Sequence, residues 1–148
     1  MVLHEQEKQP LKVGRPLKVG IVPCNGEGLC GGTVTRFACR KVLDELRPQN
    51  TVTICLPLFV AGGEGERNFA QVFPTITVDG CEKRCSAIAT EKLSGKPAHS
   101  LVVPEILEKH GRKRTGNRKK LSLEDQESVD IVAAEIAEQI DQAMKRGL

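Results

Sequence analysis

Four short aliphatic, β-branched runs, each followed by helical spacing, constrain the fold of this chain more than any other feature. Leu17–Val22, Thr51–Leu56, Thr75–Val78 and Ser100–Val103 read as strands. After the first, Thr33 is placed to cap a helix reaching about Arg47, with Val34, Phe37, Ala38, Val42 and Leu46 as its apolar stripe. A Gly-rich loop at 61–65 precedes a short helix over Glu66–Val72. Helices are expected over Glu82–Leu93 and Glu105–Lys109. The strongest begins at Ser122, where Asp125 three residues on resembles a capping box. Val129, Val132, Ala133, Ile136, Ala137, Ile140 and Met144 then recur at steps of three and four.

Strand–helix alternation of this kind predicts an α/β fold, a single domain over 17–148. Its sheet is expected to have about four mostly parallel strands with helices on both faces, a Rossmann-like three-layer arrangement closed by a long C-terminal helix. Right-handed crossovers bring every strand C-terminus to one edge, and ligands in such folds bind there, where the strand order reverses. Residues 1–16 read as a flexible leader. Four Phe and no Trp or Tyr leave the core to Val, Ile, Leu and Ala. The same scarcity argues against base-stacking modules, so a nucleic-acid partner is not expected.

The net charge of +3 is too small to imply an anionic partner. It is unevenly spread, because Arg112, Lys113, Arg114, Arg118, Lys119 and Lys120 share the loop 110–121. The ordinary reading is a solvated linker, and the sharper one is a patch over 112–120 for docking a protein partner or an anion. No apolar run approaches the roughly 18 residues a membrane span needs, and the first ten residues lack a signal-peptide core. The expected location is the cytoplasm, where six cysteines point to metal or redox chemistry rather than structural disulfides.

Three of the predicted strands deliver sulfur to the same edge. Cys24 follows the first, Cys55 ends the second, Cys81 follows the third, and Cys85 lies one helical turn later. Core packing does not require such convergence, although a single buried Cys is common. Four thiolates suit tetrahedral zinc. A helix start favours thiolate at Cys81 and Cys85, and Lys83 and Arg84 would offset the site's negative charge. Asp79 and Asn25 are candidates for contacts behind the ligands. Cys30, in the same loop as Cys24, is a reserve ligand, and Cys39 reads as a packing residue. An iron–sulfur cluster is an alternative use of four cysteines. A redox or group-transfer enzyme with Cys24 or Cys81 as a low-pKa nucleophile is another. For the latter no histidine is well placed: His4 is in the leader, His99 begins a strand, and His110 follows it.

Gly26-Glu-Gly28-Leu-Cys-Gly31 also matches the dinucleotide fingerprint in form. Against it, the second strand ends Ile54-Cys55-Leu56-Pro57, with no acid for a ribose, and Glu27 would face a pyrophosphate. The favoured reading is a tight turn.

Asp79-Gly80-Cys81 with Cys85, preceded by Cys24-Asn25-Gly26 and Cys55-Leu56, resembles the DGC-domain family over roughly Val19 to Val103. That family is one of small proteins associated with zinc. The resemblance implies metal binding by Cys24, Cys55, Cys81 and Cys85, and it does not supply a reaction. Asn25 departs from the commoner Ser or Ala, and Cys30 and Cys39 are additional.

Overall fold

In a computed structural model of the chain, residues 18–26, 28–113, 115–116 and 120–146 are described. The proposed leader lies outside them. Strand β1 (Val19–Pro23) leads to helix α1 (Cys30–Lys41), prolonged by a π-helical turn at Val42–Leu46. Strand β2 (Thr51–Thr53) is followed by three short helices, α2 (Leu56–Ala61), α3 (Glu64–Arg67) and α4 (Phe69–Val72). Then come β3 (Thr75–Asp79), α5 (Cys85–Leu93), β4 (His99–Val102), α6 (Val103–Lys109) and the long α7 (Leu123–Arg146). No helix among the described residues is long and apolar enough to cross a membrane.

The sheet has the order β2-β1-β3-β4, and every pairing is parallel. The chain leaves β1 for β2 on one side, then crosses back to β3 on the other. A constant crossover hand therefore puts α1 on one face and the β2–β3 and β3–β4 connections on the opposite face. The packing agrees. Helices α1 and α7 cover one face, and α5, with α2 beside it, covers the other. The strand order reverses between β1 and β3.

The face under α1 and α7 is dry and aliphatic. Val19, Ile21, Ile76, Val78 and Leu101 meet Val34, Ala38, Val132, Ile136 and Ile140. Cys39 is buried in this core, which pushes its thiol up from the ordinary value, and it is the packing residue its position predicts. The opposite face is more polar. Thr75 and Thr77 point there beside Asp79, and Thr77 Oγ1 donates to Ser100 Oγ at 3.0 Å.

Helix α7 is held by its stripe rather than by its charges. Lys41, Arg47, Lys109 and Arg112 pair with Asp130, Asp141, Glu135 and Glu127 along its length. Pairs of this solvent-exposed kind contribute about 0–1 kcal/mol each. Each buried Ile or Val contributes about 1.5–3 kcal/mol, and Val132, Ile136 and Ile140 are wholly buried.

Several boundaries differ from the sequence reading. Helix α1 starts at Cys30, not Thr33, with Leu29 as its N-cap and no side-chain cap. Strand β2 stops at Thr53, because Leu56-Pro57 opens a helix in which proline suits the first turn. Helix α5 starts at Cys85, not Glu82, because residues 81–84 form a turn in which Arg84 N–H donates to the Cys81 carbonyl at 3.3 Å.

The capping box is present. Asp125 N–H donates to Ser122 Oγ at 3.0 Å, while Ser122 N–H and Oγ donate to Asp125 Oδ2 at 3.0 and 2.9 Å. Gly116 N–H donates to Asp125 Oδ1 at 3.0 Å, so the buried carboxylate ties the preceding loop to α7. Burial alone would push this carboxyl up. The N–H groups of Gly116 and Ser122, the Ser122 hydroxyl and the Cys30 thiol outweigh it and hold Asp125 below its ordinary 3.8. A depressed carboxylate stabilises the fold above the unfolded value, and that contribution is lost as pH falls through the folded one. Asp125→Asn is therefore expected to lower stability at neutral pH by about 1–2 kcal/mol. The variant should also lose less stability than the parent between neutral pH and about pH 3, as urea midpoints across that range will show.

Candidate metal centre

The C-terminal ends of β1 and β3 flank the point where strand order reverses, and a pocket of about 220 Å³ opens there. Its wall carries Cys24, Cys81 and Cys85 together with Asp79, Leu29 and the backbone of Gly26, Gly28, Gly32 and Gly80. A larger hollow of about 490 Å³, beside Lys120, Leu121, Ser122, Leu123 and Gln126, holds no thiol.

Cys24 is anchored from both sides. Its N–H donates to the Val78 carbonyl at 2.9 Å, extending the β1–β3 ladder by one residue. Its Sγ accepts the Gly80 N–H at 3.3 Å and lies 3.6 Å from the buried Thr35 Oγ1. Thr35 donates its one proton to the Gly32 carbonyl at 2.6 Å, which leaves its oxygen to accept from the Cys24 S–H.

Asp79 is buried and occupied. Its Oδ1 accepts Ser86 N–H at 2.8 Å and its Oδ2 accepts Ala87 N–H at 3.2 Å. It thus does for α5 what an N-cap side chain does, from the end of the neighbouring strand. Cys85 is the first residue of α5 and is exposed, and Cys81 is half-buried in the turn before it. Asn25 and Arg84 adjoin Cys24 and Cys85, and they are the two non-glycine residues with positive φ among the described residues, at 51° and 55°. Left-handed backbone at such residues concentrates at functional sites. The Oδ1 of Asn25 is buried without a partner among the described residues.

The other expected ligands stand elsewhere. Cys55 is the exposed N-cap of α2 and is not on the pocket wall. Cys30 opens α1 but faces α7. Burial first, and the adjacent Asp125 charge second, push its thiol up. Among the described residues, no three His, Cys, Asp or Glu side chains stand close enough to share one ion in this conformation. The donors at the pocket fit a thiophilic metal in kind but not in spacing in this structure. His99 begins β4, far from the strand ends, and His110 Nδ1 lies 2.9 Å from the Ile106 carbonyl. Arg114 and residues 117–119 of the basic loop lie outside the described residues, and Arg112 is paired with Glu127.

Against this geometry, a family model for the DGC domain matches residues 20–142. The chain belongs to the DGC-domain family. No curated protein and no solved structure matches it.

In this DGC-domain protein the glycines of the first loop have a packing role. A side chain on Gly31 would overlap the Gly80 carbonyl, one on Gly32 would overlap the Gly26 carbonyl, and one on Gly80 would overlap the Gly31–Gly32 peptide. Gly28, the middle glycine of the fingerprint, meets nothing within 4 Å. Two features of the site lay outside the sequence reading: Thr35, a polar residue beside the apolar stripe of α1, and the Gly80 contact itself. Gly80→Ala should cost on the order of 1–3 kcal/mol by forcing the α1 start away from β3. Alkylation of Cys24 should also accelerate. Gly28→Ala is the matched control for stability, expected to leave the urea midpoint unchanged.

Proposed function

We propose that this DGC-domain protein is a cytoplasmic binder of a thiophilic metal ion, zinc in the first place, held at the switch-point pocket by Cys24, Cys81 and Cys85. One observation carries the reading: thiols delivered by two strand ends line the same pocket, beside a buried hydrogen-bond network that fixes one of them. All six cysteines are free, as a reducing compartment would keep them.

Zinc would supply a redox-inert, Lewis-acidic centre that accepts thiolate ligands. The chain's own groups prepare for it. Gly80 N–H is already directed at the Cys24 sulfur. The S–H proton that Cys24 shares with Thr35 leaves on binding, and the Thr35 hydroxyl can then turn to donate to sulfur. The N-terminus of α5 lies at Cys85, with its free N–H groups toward the pocket end of the helix. Lys83 and Arg84, exposed in the adjoining turn, offset the remaining negative charge.

Protein purified without added metal is expected to carry about one zinc per chain by elemental analysis, and Cys24→Ser and Cys81→Ser to lose it. Iron with visible absorption in an anaerobic preparation would turn the reading to an iron–sulfur cluster. The absence of stoichiometric metal, with no uptake of added zinc, would sink it.

A further inference from the structure

We infer that Cys24 and Cys81 are a dithiol–disulfide couple across the ends of β1 and β3, oxidised and reduced by exchange with a low-molecular-weight disulfide. The inference goes beyond metal binding and does not depend on it. It rests on the contact that Cys24 makes. The Cys24 sulfur accepts the Gly80 N–H at 3.3 Å, and Gly80 is joined directly to Cys81. The β1–β3 ladder runs on to Cys24, whose N–H donates to the Val78 carbonyl, so Cys24 stands beside Asp79. Adjacent strands are about 4.8 Å apart. A disulfide spans about 4.4–6.8 Å between Cα atoms. After Asp79 the chain bends at Gly80 and Cys81 instead of continuing the strand, and both thiols line one pocket.

The two cysteines are free and half-buried, within reach of a small reagent. Cys30 is turned toward Asp125, and Cys39 is sealed in the core under α7. Cys85 opens a helix whose next two N–H groups are held by Asp79, whereas Cys81 stands in the turn before it. Turning the Cys81 side chain toward Cys24 is thus a local movement.

The exchange has two steps. The Cys81 thiolate attacks a disulfide RSSR, forming a Cys81–SR bond and releasing RS⁻, which takes up the Cys81 proton. The Cys24 sulfur then attacks the Cys81 sulfur, losing its proton to the second departing RS⁻. One disulfide is reduced to two RSH while the two cysteines are oxidised to one bridge. In a reducing compartment such a bridge is transient and redox-sensing. It also consumes two of the thiols proposed for the metal, so the oxidised pocket cannot ligate through them.

The test equilibrates chelator-treated full-length protein with glutathione and its disulfide, then quenches with acid, alkylates and maps tryptic peptides. The expected product has lost about 2 Da, with residues 19–36 joined to 68–83 and fragmentation placing the bond at Cys24 and Cys81. The same mixture in urea is the control. Loop closure in an unfolded chain favours the near pairs, Cys24 with Cys30 and Cys81 with Cys85. Cys81→Ser should abolish the bridge and leave Cys24 able only to carry glutathione, while Cys85→Ser should keep it. The wild-type map stands even if a variant fails to fold. A native protein that gives only glutathione adducts, no oxidation, or the near pairs found in urea overturns the couple. The zinc content of the untreated protein is measured separately, so that result leaves the metal reading untouched.

Discussion

The approach of Gly80 to the Gly31–Gly32 peptide sets the geometry on which the rest of the site depends. It brings the start of α1 against the end of β3 with no side chain between them. That contact puts the Gly80 N–H on Cys24, keeps Thr35 beneath the sulfur, and leaves a pocket where a larger residue would have filled the crevice. It also explains why an unfavourable residue pair opens a helix. Gly31 and Gly32 are poor helix formers, each costing about 1 kcal/mol relative to Ala, and the sheet contact must outweigh that cost. The aliphatic face beneath α1 and α7 supplies the stability that permits it.

The strands, their parallel order and the C-terminal helix were legible because each rests on local pattern. Val132, Ile136 and Ile140 share one helical stripe whatever the rest of the chain does, and Ser122 with Asp125 forms its box within four residues. The convergence of Cys24 and Cys81 was legible too, because a parallel sheet brings all strand ends to one edge. The place of β2 in the sheet was not. Whether β2 lies beside β3 or beyond β1 is a matter of strand order, and no local pattern in Thr51–Thr53 encodes it. The early start of α1 was hidden for a related reason. Propensity disfavours Gly31 and Gly32, and the contact that overrides it comes from Gly80, far away in sequence. The turn at 81–84 was missed because Arg84 takes a left-handed backbone that its residue type does not advertise.

The polar face of the sheet bears on how the pocket adapts. Helix α5 buries Ser86, Ala87 and Thr90, and the hydroxyls of Ser86 and Thr90 have no partner among the described residues. A buried hydroxyl left unpaired costs about 1–3 kcal/mol, so this helix is docked with less surplus than α7. Its firmest attachment is Asp79, which grips the N–H groups just inside the helix start. Cys24 is held equally firmly by the ladder, Gly80 and Thr35.

Between these two anchors lies the turn from Cys81 to Arg84, in which Arg84 N–H donates to the Cys81 carbonyl at 3.3 Å. Under the metal reading proposed above, shortening the distances among the three sulfurs would fall to this turn and to Cys85 at its end. Movement of α1 would break the glycine contact, and movement of β3 would break the sheet. A turn anchored at both ends can shift its one sulfur while the core stays in place. The left-handed residues on either side, Asn25 after Cys24 and Arg84 before Cys85, stand where such an adjustment concentrates backbone strain.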